Sequence, residues 1–169
     1  MKLLGNLDDD QYVQSEITHV RFTARAIAVK DNLFAFLSIK GEDDFGIRDH
    51  IESLGGGIDE GEDAQITIVR ECLEEAGFEV EVKALLGVIV DRYYFIQRQT
   101  FSYFFLVEVK NIQSQTHRMP MEQTLMQEIL WLSESETLRM LDFPVEKIGR
   151  LIQRRDKVAF LEALQVLKG

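Results

Sequence analysis

The stretch from Gly55 to Phe78, GGGIDEGEDAQITIVRECLEEAGF, constrains this chain more than any other. Asp63 can accept a backbone N–H at a helix start, and Gly77 can end a helix in the left-handed conformation. The spacing therefore predicts a helix over residues 63–76. At about 100° per residue, Ile66, Val69, Cys72, Leu73 and Ala76 gather on one face. Glu71, Glu74 and Glu75 gather on the opposite one, and Ile68 falls near them and needs some other cover. A solvated acidic face is the ordinary explanation for such a pattern. Two features oppose it here. Glu71 and Glu75 stand four residues apart, where like charges repel, and only Arg70, four residues before Glu74, offers a local counter-charge. A hard cation resolves that conflict, because Mg²⁺ takes oxygen ligands and is held by carboxylates together with phosphate oxygens. The glycines in front, lacking Cβ, let backbone approach the same place.

Other features narrow the class. The length of 169 residues suits one domain over 1–169 with a single sizeable core. A net charge of -10 argues against a general nucleic-acid binder, since phosphate backbones reward clustered Lys and Arg. A polyanionic substrate stays admissible, because a divalent cation can bridge two negative partners. The single cysteine, Cys72, precludes an internal disulfide and points to a reducing compartment. Set among apolar helix neighbours, it reads as a buried thiol. No apolar run approaches a bilayer span, and the start, MKLLGNLDDDQYV, lacks the long apolar segment of a secretory signal. A cytoplasmic protein is the expectation.

Along the chain, 21–29 and 33–39 read as strands joined by KDN in a hairpin. GEDDFGIRD reads as a polar loop and 50–54 as a short strand. FEVEV alternates with period two, and 85–90 and 100–109 are apolar and β-branched or aromatic, giving three further strands. Residues 91–99 connect the last two. A loop over 110–124 leads to a strand at 129–132. Ser133 and Glu136 have capping-box spacing, and a second helix is expected from Pro144 to Leu167, with a break near Arg154–Asp156. The result is a mixed or largely antiparallel sheet with helices packed on it.

The spacing within the opening stretch resembles a known motif. Gly56, five residues, Glu62, seven residues, Arg70-Glu71-Cys72, one residue, Glu74-Glu75, one residue, Gly77-Phe78 matches the Nudix box at every fixed position, with Cys72 and Phe78 at the two apolar ones. Leu54 stands where many relatives carry Pro. The resemblance implies an α/β fold, an α/β/α sandwich with a mixed sheet and flanking helices. It implies a hydrolase of nucleoside diphosphates linked to another group X, requiring Mg²⁺ or Mn²⁺. The partner is then a small nucleotide derivative, and a homodimer is compatible with the family.

Residue by residue, the resemblance implies metal ligation by Glu71, Glu74 and Glu75, with the Gly55 carbonyl as a further ligand. Arg70 would orient these carboxylates, and Glu62 would join the same network. For the general base it implies either a box glutamate (Glu71 or Glu74) or an acid from a later loop, where Glu122 and Glu128 are the candidates and a solvated glutamate is the alternative for each. His117, in that loop, reads as solvated. Tyr93 and Tyr94 in DRYYF lie where a tyrosine accompanies dinucleoside polyphosphate hydrolases, although strand packing explains them as well. Arg92 and Arg98 can meet phosphates or lie on a solvated strand end. Two rivals are a Nudix-fold nucleotide-binding module, which usually lacks some box acids, and a prenyl diphosphate isomerase, which needs a further cysteine. The intact box favours the enzyme.

Overall fold

The computed structural model describes residues 1–44, 46–113, 116, 118, 125–145 and 147–169. Its strands are β1 (Leu3–Asp8), β2 (His19–Lys30), β3 (Leu33–Asp43), β4 (Gly46–Glu52), β5 (Leu54–Gly57), β6 (Phe78–Tyr93), β7 (Arg98–Ile112) and β8 (Met126–Leu132). Three helices accompany them: α1 (Ala64–Ala76), α2 (Glu134–Leu141) and α3 (Ile148–Lys168). The sheet runs β1-β6-β7-β2-β3-β4, with β5 paired to β2 and β8 to β3. It is mixed, since β1 is parallel to β6 and β2 is parallel to β7 while the other pairs are antiparallel.

Strand parity builds the layers. Side chains alternate across a strand, so Ala24, Ala26 and Ala28 of β2 join Phe105, Val107 and Val109 of β7 beneath α1. Ile27, Phe104 and Leu106 point the other way, into a core closed by Leu141 of α2 and by Ala159, Phe160 and Ala163 of α3. The α/β/α sandwich implied by the motif is the architecture found. The β2–β3 turn is Asp31-Asn32, both with positive φ (50° and 61°). That conformation matches the twist of a tight hairpin, and Asp and Asn tolerate it best after Gly.

Several boundaries differ from the sequence expectation. GEDDFGIRD is mostly strand: β3 runs on to Asp43 and returns as β4, and Arg48 pairs with Asp43 at 2.7 Å. Cross-strand ion pairing makes a polar hairpin arm from residues whose composition suggested a loop. Residues 78–82 and 85–90 belong to one bent strand, β6, whose register against β7 shifts after Glu79, Val82 and Leu85. Leu3–Asp8, not expected as a strand, adds to its edge. The last helix starts at Ile148 rather than Pro144, and it continues without a break through Arg154–Asp156.

Its charged centre is a structural tie. Asp156 is 0% exposed; its carboxylate accepts from the Ser53 backbone N–H at 2.6 Å and from Arg155 Nε at 2.8 Å. Arg155 and Arg25 both pair with Glu52 Oε1, at 3.3 and 2.6 Å. Helix α3 is thereby fastened to the junction between β4 and β5, where the glycine strand begins. Removing one member of a buried ion pair strands the other charge, at a cost of about 3–5 kcal/mol. Asp156→Ala is therefore expected to lose stability of that order in a urea unfolding titration. A loss under about 1 kcal/mol would show that the tie contributes little.

Candidate active site

Helix α1 forms at its expected place. The Asp63 side chain accepts from Ile66 N, and Gly77, with φ 68°, closes the helix by donating to the Cys72 and Leu73 carbonyls. Its orientation is rotated from the sequence expectation, which Cys72 and Ala76 meet and Ile66, Val69, Glu71 and Glu75 do not. Thr67, Ile68, Glu71, Cys72, Glu75 and Ala76 are buried, while Ile66 is 56% and Val69 is 41% exposed. A helical wheel sorts residues by apolarity alone, and two of the three acids here find donors inside the protein that the wheel cannot see. Ile68, the misfit of that wheel, belongs to the core beneath α1.

Those donors come from β5 and Arg70. Glu75 Oε2 accepts from the Gly55 backbone N–H at 2.8 Å. A Cβ on Gly56 would run into the Glu71 carboxylate, and Gly55, at φ 135°, adopts a conformation that L side chains rarely enter. Arg70 spans the remaining acids. Its Nε and Nη2 donate to Glu62 at 3.0 and 2.9 Å, and its Nη1 to Glu71 at 3.0 Å and to Glu74 at 3.1 Å. Nη2 also reaches the Gly57 carbonyl at 3.4 Å. One guanidinium thus orients three carboxylates, using the fork that distinguishes Arg from Lys.

The electrostatics follow from these contacts. The Arg70 hydrogen bond, helped by one from Thr67, holds the Glu62 carboxyl below its ordinary range. Burial pushes Glu75 well above its ordinary range, and the Gly55 hydrogen bond and the Arg25 charge offset only part of that. Burial also raises the Cys72 thiol, with Glu75 and Glu71 adding to the shift, so Cys72 is an inert core residue. The isomerase reading, which needs a reactive cysteine, has no residue to carry it.

Other candidates fall elsewhere. Glu128 is exposed on β8 opposite Ser38 and, among the described residues, shares no hydrogen bond or ion pair with the α1 acids. Glu122 and His117 lie outside the described residues. Arg92 is bound to the edge strand, donating to Asn6 at 2.8 Å and to Asp8 at 3.3 Å, and Tyr94 donates to Asp8 at 2.6 Å. Arg98 and Tyr93 instead line a cavity on the α3 side of the sheet, with Arg21, Arg25, Glu52, Asp91 and Arg155 among its walls. The sequence reading missed that cluster. Its signal was present in the parity of VRFTARAIAV, where Arg21, Thr23 and Arg25 share a face with Ile27.

Comparison with known proteins identifies the family. The sequence matches the family model described as NUDIX domain over residues 21–152. The chain belongs to the NUDIX family. It is an enzyme of the Nudix hydrolase type, and the box helix and glycine strand lie within the matched region. Among solved structures it is similar to a NUDIX hydrolase from Nitrosomonas europaea, with a TM-score of 0.66 at 16% identity, covering 86% of this chain and 88% of that one. A MutT protein from Methanosarcina mazei Go1 superposes with a TM-score of 0.64 at 14% identity, over 92% of this chain and 100% of the other. A UDP-X diphosphatase gives 0.60 at 20% identity, over 92% and 68%. At these identities the likeness is one of fold. Compared by sequence with curated proteins, the chain finds no match.

Among the described residues, no three metal-binding side chains converge on one point. Arg70 holds Glu71 and Glu74, while Glu75 is turned to the Gly55 N–H. The donor set nonetheless fits a hard divalent cation. It consists of carboxylate and carbonyl oxygens, and Gly56 keeps side-chain atoms away from Glu71. No helix among the described residues is long and apolar enough to cross a membrane.

Glu75 carries a testable sign. A carboxyl whose folded pKa is raised favours the fold in its neutral form. That contribution is whole below the unfolded value, near 4.5, and is lost as pH rises through the raised folded value. Glu75→Gln keeps an oxygen acceptor for Gly55 without ionising. In metal-free buffer the melting temperature of the variant should therefore gain on that of wild type as pH is raised from 4.5. A constant offset between the two melting curves over pH 4–8 would show that Glu75 is not held neutral by burial.

Proposed function

We propose that this Nudix enzyme hydrolyses the phosphoanhydride of a nucleoside diphosphate linked to another group X, which can itself be a nucleotide, using Mg²⁺ or Mn²⁺. Glu71, Glu74 and Glu75, with the Gly55 carbonyl, are the residues that would hold the metal. The observation that carries this reading is the Arg70 fork, bonded at once to Glu62, Glu71 and Glu74 beside a strand whose last three residues, Gly55–Gly57, have no side chains. A set of carboxylates oriented this way is suited to a cation and a phosphate chain, whereas a wet helix face has no use for it. The fold likeness to a UDP-X diphosphatase is in keeping with such a substrate.

A bound cation would supply charge neutralisation of the phosphate oxygens and a more acidic water. The chain supplies the rest. Arg70 fixes Glu71 and Glu74, limiting the reorganisation needed when charge builds on the phosphates. Gly55–Gly57 let the phosphate chain approach backbone without meeting a Cβ. Water attacks one phosphorus, the P–O–P bridge breaks, and the products are a nucleoside monophosphate and phosphorylated X. The proton released from water goes to a carboxylate. Glu71 and Glu74 are both in the cluster, and Glu74, with a side chain 38% exposed, is the more open to solvent.

The test is a panel of nucleoside diphosphate sugars and dinucleoside polyphosphates, assayed for nucleotide release. Turnover should vanish in excess chelator and return with Mg²⁺ or Mn²⁺. Undiminished turnover without metal would refute the mechanism. Glu74→Gln should lower kcat on the best substrate by about 10–100-fold or more. It should also shrink the rise in melting temperature on adding Mg²⁺, since a ligand that binds only the folded state stabilises by mass action.

The role of Arg70 is tested separately. Arg70→Ala should cut kcat by at least about tenfold with the far-ultraviolet circular dichroism spectrum retained, and Arg70→Lys should recover only part of it. Full activity in the Ala variant would reduce Arg70 to a surface charge.

A further inference from the structure

The α3-side cavity is unusual for a protein with a net charge of -10. About 140 Å³ in volume, it is lined by four arginines, Arg21, Arg25, Arg98 and Arg155, against two acids, Glu52 and Asp91. Glu52 is committed to Arg25 and Arg155, and Arg155 pairs further with Asp156. Arg21 and Arg98 make no ion pair within 4.0 Å among the described residues. Two buried guanidinium atoms, Arg25 Nε and Arg98 Nε, have no hydrogen-bond acceptor, and one buried carboxylate oxygen of the wall, Asp91 Oδ2, has no donor. Burial brings the Arg98 pKa down; the Asp91 charge opposes it, and the charges of Arg155 and Arg25 add smaller shares. Thr23 and Thr100 add hydroxyls to the wall. Arg25 and Arg98 thus each hold a guanidinium N–H out of water with no acceptor, which is costly until an anion meets it, while Arg21 stands exposed at the rim.

The cavity also adjoins the box. Arg25 lies opposite Gly55 and Thr23 opposite Gly57 in the β2–β5 ladder. Arg21 Nη2 would stand 3.5 Å from a Cβ on Gly57, while Arg70 donates to the Gly57 carbonyl. The glycine strand is therefore a thin partition, with α1 carboxylates on one face and the arginine cavity on the other. A substrate laid across its end can touch both. The cavity has room for several water molecules, enough for a phosphoryl group and too little for a nucleoside.

We propose that this cavity is a second anion subsite of the same active site, and that the preferred substrate carries a phosphoryl group on X in addition to the diphosphate bridge. The subsite rests on the hydrolase reading above. It makes Arg98 and Arg21 the residues that select phosphorylated X, through charge-assisted and bidentate hydrogen bonds to phosphate oxygens. With metal absent, the α1 carboxylates repel phosphate, so the cavity is the place where inorganic phosphate binds the metal-free protein.

Two measurements test it. Inorganic phosphate is titrated calorimetrically into the protein in chelator, with wild type, Arg98→Gln, Arg21→Gln and Arg98→Lys. Each Gln variant should bind at least about tenfold more weakly, the loss of one hydrogen bond to a charged group. Arg98→Lys should keep more affinity than Arg98→Gln, which separates lost charge from lost fold. No binding by wild type, or equal binding by all four proteins, overturns the subsite. With Mg²⁺ present, kcat/KM is then compared for nucleoside diphosphate sugars with and without a phosphate on the sugar. Wild type should prefer the phosphorylated compound by about tenfold or more, a preference that Arg98→Gln reduces. Equal kcat/KM in wild type overturns the selectivity and leaves hydrolysis standing. Absence of turnover on every compound refutes hydrolysis itself, and the phosphate titration, which needs no turnover, tells that failure from failure of the subsite.

Discussion

Taking carboxylates out of water is costly unless donors meet them. Helix α1 nevertheless turns Glu71 and Glu75 toward the sheet, and Glu75 is 2% exposed. Everything around the helix serves that burial. The Gly55 N–H meets Glu75, Arg70 meets Glu71, and Gly56 leaves the space that the Glu71 carboxylate occupies. A charged helix face used as an inner wall is uncommon, and it requires a neighbour that offers backbone N–H groups without side chains. Strand β5 is that neighbour.

β5 is short and has little packing of its own beyond Leu54, so its position depends on what flanks it. On one side the β2 ladder holds it, residue by residue from Leu54 to Gly57. At its start, Ser53 donates to the fully buried Asp156 of α3, and Arg25 donates to the Ser53 carbonyl at 3.0 Å. The same Arg25 and Arg155 that secure this junction form part of the cationic cavity wall. Structural anchoring and the proposed anion recognition thus share residues, and the two faces of one glycine strand carry opposite charge. That polarity suits a ligand with several phosphates better than a neutral one.

Much of the fold was legible. The Asp63 cap, the Gly77 stop and the Ser133–Glu136 capping box are local hydrogen-bond chemistry, and all three are present as their residues suggested. The β2–β3 hairpin follows from Asp-Asn at its turn, and the burial of Cys72 follows from its neighbours. The misreadings have a common cause. Composition marked residues 41–49 as loop, apolarity marked Ile66 and Val69 as core, and Arg154–Asp156 read as a helix break. In each case a hydrogen-bonding partner that residue type alone does not reveal decided otherwise: the other arm of the same hairpin, the β5 backbone, and the Ser53 N–H.

The sequence by itself determined which residues make up the box cluster, because the box acids, Arg70 and the glycines sit within a few helical turns of one another and their spacing is local. It also determined the alternation that sorts the strands' side chains into the two cores, one on each face of the sheet. Only the tertiary structure decided which face of α1 is buried, since that depends on donors brought in by β5. It also decided that Arg21, Arg25, Arg98 and Arg155, scattered from the second strand to the last helix, meet in one cavity. Charges so far apart along the chain become neighbours only when parallel pairing of β2 with β7 and the docking of α3 bring them together, and no local pattern encodes that distance.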